Sequence, residues 1–398
     1  MKHNPANAIQ DVHYTDAHGG INPAISDSST YTFKKAQDMA DTFAGEKLDA
    51  FLYSRHSSPS TNQLCEALSA MENTEAAQVF ASGMGAITSV ILQLCKADDH
   101  IISSRTIYGG SYAFMKNFLP DFHIKTSFVD ITDLESVKAA IKPETKLLYC
   151  EAVSNPLLET ADLNTLKKIA AENNLTFVVD NTFTPLVITP TDFGADVVVY
   201  SLTKFINGSS DTVGGAVCGT LDFVNSLKDV NNGSAMLLGQ TLDSLRSASV
   251  LKNLRTLPIR MEKHSENALY LAEKFEKDGL KVVYPGLESH PSHDLMSSQI
   301  NEEFGYSGLL TVDFGSIENA NLIMEKMQDK NLGSLAVSLG FYRTLFSASG
   351  SSTSSEISPE EQSEMGLTEG LVRFSVGLDF DIKRTYQMMK SCIDEVMS

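Results

Sequence analysis

The chain has 398 residues, 42% of them hydrophobic, enough for a sizeable core in two or three domains or in one large domain with a smaller partner. Fifty acidic against 31 basic residues give a net charge of −19, which argues against nucleic acid or an anionic membrane as partner, because those need basic patches. The first residues lack an apolar leader, and no apolar span is long enough for a membrane helix. Cys65, Cys95, Cys150, Cys218 and Cys392 are scattered and odd in number, so neither a disulfide framework nor a zinc site is expected, and a reduced cytoplasm fits best.

Residues 1–60 are polar, rich in Gly, Pro, Ser and Thr, and without a clear period. They read as an extended arm that wraps a neighbouring subunit, and the aromatics Tyr31, Phe33, Phe43, Phe51 and Tyr53 weigh against a disordered tail. Residues 61–250 read as a large domain. Helical spacing over Thr61–Asn73 is followed by a strand from Ala76 and a buried helix over Gly85–Lys96. Strands at Asp99–Ser104, Ile124–Val129, Thr145–Glu151 and Leu175–Asp180 then alternate with helices at Tyr112–Phe118, Asp133–Ile141 and Asp162–Asn173. Alternation of this kind predicts a mostly parallel sheet with helices on both faces, and ligands beyond the carboxyl ends of its strands. Long helices are expected over Thr241–Ala272. Residues 251–398 read as a smaller α/β domain with strands near Leu280, Gly308, Leu335 and Gly370 and a final helix from Ile382. The short Ser-rich run 347–355 reads as a loop near a site or a mobile edge.

The chemistry gathers at strand ends. Asp196-Val-Val-Val-Tyr-Ser-Leu-Thr-Lys204 is a buried strand that ends in Ser201, Thr203 and Lys204. A lysine at the edge of a core is partly desolvated, which frees its neutral amine for a Schiff base. Ser82-Gly83-Met84-Gly85 opens a helix, where backbone amides and the helix dipole suit a phosphate. Tyr108 follows the next strand and could stack on a flat ring. Asn155 and Asp180 end two more strands. Each has a plainer reading alone: a tight turn, a turn aromatic, a residue before Pro156, an Asx-turn. Together they match the needs of pyridoxal 5′-phosphate (PLP): a lysine for the carbonyl, an acid for the ring nitrogen, an aromatic cover and a phosphate cradle.

Nearly the whole chain resembles the Cys/Met-metabolism family of PLP enzymes, which includes cystathionine γ-synthase, cystathionine lyases, methionine γ-lyase and O-acetylhomoserine sulfhydrylase. The resemblance rests on Tyr53-Ser-Arg55, Ser82-Gly-Met-Gly-Ala, Tyr108-Gly, Asn155-Pro, Val179-Asp-Asn-Thr, Ser201-Leu-Thr-Lys204, Val337-Ser-Leu-Gly and Glu369-Gly-Leu-Val-Arg-Phe-Ser. It implies the PLP-dependent transferase fold type I, an α/β fold with a mostly parallel central sheet, and a homotetramer built as a dimer of dimers. It also implies roles for single residues. Lys204 would bind PLP and move the Cα proton. Tyr108 would stack on the ring and donate a proton to the leaving group. Gly83, Met84, Ser201 and Thr203 would hold the phosphate, joined by Tyr53 and Arg55 from the neighbouring subunit. Asp180 would pair with the ring nitrogen and Asn155 with the phenolic oxygen. Arg373, helped by Ser338, would clamp the substrate carboxylate.

Two departures bear on which member this is. Methionine γ-lyases typically have cysteine where this chain has Gly110, which weakens that reading. Cystathionine-handling members usually have an acid where this chain has Arg343, which suggests selection of a neutral or anionic distal group. The expectation is therefore cystathionine γ-synthase-like γ-replacement on an O-acylhomoserine. The alternatives are methionine γ-lyase or cystathionine γ-lyase chemistry, giving 2-oxobutanoate and ammonia, and, in another class, a fold type I aminotransferase.

Overall fold

The computed structural model describes residues 3–14, 16, 18–47, 50–348 and 367–397. The N-terminal segment contains two short helices, α1 (Pro5–Asp11) and α2 (Ala36–Phe43). It is thus less uniformly extended than its composition predicts. Asn4 caps α1 through the Asn7 amide, and Pro5 occupies its first turn. Helix α3 (Pro59–Glu72) starts at a capping box formed by Ser58 and Thr61.

Strand β1 (Ala76–Phe80) leads into α4 (Gly83–Leu94), and β2 (His100–Ser104) into α5 (Gly109–Ala113). The helix expected over Tyr112–Phe118 begins earlier and continues as a π-helical turn over Phe114–Phe118. Then come β3 (Lys125–Val129), α6 (Leu134–Ala139), β4 (Thr145–Glu151), α7 (Leu163–Glu172), β5 (Thr176–Asp180), β6 (Val197–Ser201) and β7 (Gly215–Gly219). These seven strands form one sheet in the order β1-β7-β6-β5-β4-β2-β3. Strands β3, β2, β4, β5 and β6 run parallel, while β7 is antiparallel to both of its neighbours. Gly-Ala-Val-Cys-Gly gives no alternation to read, so β7 is unexpected from the sequence. It is buried along its whole length between two strands, which compensates for weak intrinsic propensity. The other strands carry apolar runs such as Phe177-Val-Val, as sheets covered on both faces require.

Helices α8 (Leu221–Lys228), α9 (Ser234–Leu238) and α10 (Ser244–Leu254) lead to α11 (Leu257–Lys277). A second sheet follows, built from β8 (Lys281–Val283), β9 (Leu309–Asp313), β10 (Ser334–Leu335), β11 (Leu345–Ala348) and β12 (Leu371–Ser375), in the order β10-β11-β12-β9-β8. It is covered by α11 and α13 (Ile317–Asp329), on which α14 (Ile382–Met397) packs, while α12 (His293–Gln299) sits in the connection between β8 and β9. The strand expected over Leu335–Ser338 stops at Leu335, which leaves Val337 and Ser338 in a loop. Of the Ser-rich run, Ser347 and Ala348 end β11, and 349–355 lie outside the described residues.

Helix α11 belongs to two cores. Leu257 and Met261 pack into the core around the large sheet, and Ala268, Leu271, Ala272 and Phe275 into the core of the small one. The boundary expected between residues 250 and 251 falls inside α10. No helix among the described residues is long and apolar enough to cross a membrane.

Beneath the large sheet, Glu72 is buried and accepts hydrogen bonds from the Tyr200 hydroxyl and the Thr191 amide. Burial pushes its carboxyl up from 4.5 to about 8. The folded chain therefore holds a proton there that the unfolded chain releases near pH 4.5, so this site loses stability as pH rises towards 8. Glu72→Gln is expected to be more stable than wild type above pH 8, by up to about 4 kcal/mol, and to match it near pH 4. Melting temperatures of both proteins across pH 4–9 would check this.

Candidate active site

The carboxyl ends of β4, β5 and β6, the start of α4 and the loop after β10 surround a cavity of about 370 Å³, in the range of small-molecule sites. Gly83, Met84, Tyr108, Asn155, Asp180, Ser201, Thr203, Lys204, Ser338 and Arg373 all line it. Residues far apart in sequence meet because parallel strands deliver their last residues to one edge, and because Ser338 lies in a loop that reaches across from the small sheet.

Lys204 lies three residues past the end of β6, and its Nζ donates to Ser338 Oγ at 3.3 Å. Burial, then the nearby Arg373 charge, lowers its pKa to about 8, so about a tenth of it is neutral at pH 7. Arg373 lies in the middle of β12 and is 3% exposed. Its guanidinium donates to Asn155 Oδ1 at 3.1 Å and to the Ser338 carbonyl at 3.4 Å, and no carboxylate pairs with it among the described residues. A buried fork with only neutral partners is prepared for an anion such as a substrate carboxylate. Asn155, expected at the phenolic oxygen, is here the acceptor for Arg373.

At the end of β5, Asp180 accepts from the Thr182 amide at 2.9 Å and the Tyr149 hydroxyl at 3.2 Å. Glu151 is its register partner across β4 and β5. It accepts from the amides of Tyr108 at 2.7 Å and Asn155 at 3.1 Å. Burial raises the pKa of both acids, and Asp180 raises that of Glu151 further. Neither is paired with a cation among the described residues, so a protonated ring nitrogen would relieve the pair. Glu151, Tyr149 and Thr182 were not singled out from sequence. For Glu151 a signal existed: like Asp180, it is an acid at the end of an apolar strand.

The start of α4 fits a phosphate. Ser82 Oγ occupies the Gly85 amide at 2.9 Å, and the Ser82 carbonyl the Ala86 amide. That leaves the Gly83 and Met84 amides at the helix start, where the dipole is positive. A Cβ on Gly83 would lie 2.7 Å from that of Ser201, so only glycine lets the helix start approach the end of β6. Thr203 Oγ1 accepts from the Gly214 amide at 3.1 Å, which fixes this edge.

Tyr108 caps the cavity at the start of α5 and is 45% exposed. A Cβ on Gly110 would come within 2.6 Å of its ring. Gly110→Ala is therefore expected to push the ring aside and lower kcat/KM by about 10- to 100-fold, which steady-state kinetics would measure.

Three expected residues are not in this group. Tyr53 and Arg55 lie around a second, apolar cavity with Phe33, Met39 and Phe43, and Arg55 donates to the Met236 carbonyl at 3.0 Å. Arg343 departs from the distal-pocket role expected of it. It does not line the cavity, and its guanidinium donates to the Asn331 carbonyl at 3.1 Å, just past the end of α13.

A desolvated lysine, a helix start for phosphate, a buried acid pair awaiting a cation and a buried arginine awaiting an anion define an enzyme that holds a phosphorylated pyridine aldehyde. Residues 6–383 match the family described as Cys/Met metabolism PLP-dependent enzyme. The chain is 44% identical to methionine gamma-lyase of Arabidopsis thaliana over 380 residues, 94% of this chain and 86% of that one. It is 36% identical to L-methionine gamma-lyase of Treponema denticola over 385 residues, 96% of this chain and 94% of that one. Among solved structures it resembles a putative O-acetylhomoserine (thiol)-lyase of Campylobacter jejuni that contains N′-pyridoxyl-lysine-5′-monophosphate. That match has a TM-score of 0.91 and 29% identity, covering 98% of this chain and 100% of that one. The chain belongs to the Cys/Met-metabolism family of PLP-dependent enzymes, with the fold type I architecture and PLP as its cofactor.

Proposed function

We propose that the protein is a methionine γ-lyase, converting methionine and water to 2-oxobutanoate, ammonia and methanethiol. The observation that carries this reading is the apolar, uncharged wall of the cavity away from the acid pair. Ile87, Phe183, Val213, Val337 and Leu339 suit a thioether, and no acid among the described lining residues is left over to meet a distal ammonium. The 44% identity to a methionine gamma-lyase supports it as well. The expectation of γ-replacement on an O-acylhomoserine leaned on Arg343 and on Gly110. Arg343 is engaged by Asn331, and the similarity to methionine gamma-lyases outweighs the glycine at 110.

Arg373 holds the substrate α-carboxylate, with Ser338 beside it. Lys204 takes the proton from Cα, and Asp180 keeps the ring nitrogen protonated. When bound, PLP supplies the electron sink that makes Cα acidic. Lys204, once it has passed on the first proton, takes a second from Cβ, and Tyr108 donates one to the departing γ-sulfur. Phe183 and Leu339 exclude water from the reacting end. A substrate panel tests this: methionine, cystathionine, O-acetyl- and O-succinylhomoserine, with and without cysteine or sulfide. Methanethiol and 2-oxobutanoate from methionine are expected as the fastest reaction. Faster thioether formation from an O-acylhomoserine would replace this reading with γ-replacement, and 4-methylthio-2-oxobutanoate formed with a keto-acid acceptor would indicate an aminotransferase.

We further propose a homotetramer in which Tyr53 and Arg55 complete the phosphate site of a neighbouring copy. Their place outside their own chain's cavity supports this, as do the exposed side chains of Phe43, Leu237 and Leu238. Mixing inactive Arg55→Ala and Lys204→Ala proteins after partial unfolding is expected to restore roughly a quarter of wild-type activity, from random pairing across a two-fold interface. No recovery would count against shared sites.

A further inference from the structure

Arg260 lies on α11, one turn before His264, and both side chains meet Phe205, the residue that follows Lys204. Arg260 Nη1 donates to the Phe205 carbonyl. Its Nη2 donates to the Ile206 carbonyl at 2.9 Å and to the Asn253 carbonyl at 3.0 Å, and its Nε to Thr256 Oγ1 at 3.2 Å. All four acceptors are neutral, and no ion pair reaches the guanidinium among the described residues. A half-buried cation held only by neutral dipoles is costly unless the geometry is good, and here the fork spans two successive peptide carbonyls.

Phe205 is held from the opposite lobe too. Gly340, two residues after Ser338, packs on its backbone so closely that a Cβ there would lie 2.6 Å from its N and Cα. The His264 ring stands edge-on to the Phe205 ring at 5.3 Å, and its Nδ1 pairs with the carbonyl of Val376, just past the strand of Arg373. The backbone immediately after Lys204 is therefore fixed against the same segments that carry Ser338 and Arg373.

We propose that Arg260 is a positioning residue: its grip on the carbonyls of Phe205 and Ile206 sets the direction in which the Lys204 amine enters the cavity. This rests on the role given to Lys204 above. Arg260 touches no part of the cavity lining and acts through the backbone. Two parallel bonds to adjacent carbonyls fix an orientation, whereas a lysine at the same place would supply a point charge without it. Displacement of a reacting group by about 1 Å can cost about 10²-fold in rate.

The test compares Arg260→Met, Arg260→Lys and Thr256→Val with wild type, all saturated with PLP. Thr256→Val removes only the Nε acceptor and serves where the arginine variants do not fold. Two readouts are taken: kcat and KM for the best substrate of the panel, and the pH midpoint of the absorbance of the PLP–lysine chromophore, which needs no substrate. Arg260→Met is expected to lower kcat about 10- to 100-fold with KM within about threefold, and to move the midpoint by about one pH unit. Arg260→Lys should recover less than half of that loss, and Thr256→Val should show the same pattern at smaller size. A lower melting temperature with wild-type kcat and an unmoved midpoint would reduce Arg260 to a structural strut, and a rise in KM alone would place its effect on Arg373 instead. A wild type that forms the chromophore but rejects methionine overturns only the proposed substrate. A wild type without the chromophore overturns the role of Lys204 and this inference together.

Discussion

Lys204→Ala is expected to abolish turnover of every substrate in the panel, by at least about 10⁴-fold, the upper end of what a positioned acid–base group contributes. On the role proposed for Lys204, the variant loses both the attachment point for PLP and the one amine among the described lining residues that could move a proton at Cα. A small added amine should restore part of the rate in the variant, increasingly as pH rises and the amine loses its proton. Appreciable turnover without added amine would sink the assignment. Mass spectrometry after borohydride treatment gives an independent readout, since label should attach at residue 204 in wild type and be missing from the variant.

Asp180→Asn is expected to lower kcat about 10²- to 10⁴-fold, corresponding to the roughly 3–5 kcal/mol lost when one partner of a buried ion pair is removed. The side chain keeps its size, and its carbonyl oxygen can still accept from the Thr182 amide. What disappears is the negative charge proposed to meet the ring nitrogen. KM should change far less than kcat, because Arg373 and Ser338, proposed to hold the substrate carboxylate, make no hydrogen bond to Asp180. Stopped-flow kinetics of Cα proton exchange, with deuterated against ordinary substrate, would locate the loss. An unchanged exchange rate with a slower overall rate would show that Asp180 does not serve the proton-removal step.

Much of this site is legible in sequence for a definite physical reason. Phe177-Val-Val-Asp180 and Val197-Val-Val-Tyr-Ser201 are runs that only buried parallel strands tolerate, so the polar residue that ends each run marks the ligand edge of the sheet. The glycine-rich start of α4 is readable on similar grounds. Arg343 shows the limit. The family resemblance, which has an acid at this position in cystathionine-handling members, implies a place in the pocket, but the end of α13 lies nearby in space, and a carbonyl just beyond a helix C-terminus is a good partner for a cation. Spacing carries no information about an element that begins more than twenty residues earlier. Strand β7 was hidden for another reason: its five small residues are decided by the strands on either side and not by their own pattern. Glu151 was visible in kind but not in role, since only the pairing of β4 with β5 sets it beside Asp180.

Helix α11 has a consequence for how the molecule comes apart. Its first turns complete one core and its later turns the other, so fraying at its middle removes apolar cover from both at once. The two lobes are therefore expected to lose their packing together, which a single transition followed by two structural probes would check. A cut between residues 250 and 251 would not separate two self-sufficient pieces. It would strip the first core of Leu257 and Met261 and leave the second with a helix whose opening half has nothing to rest on.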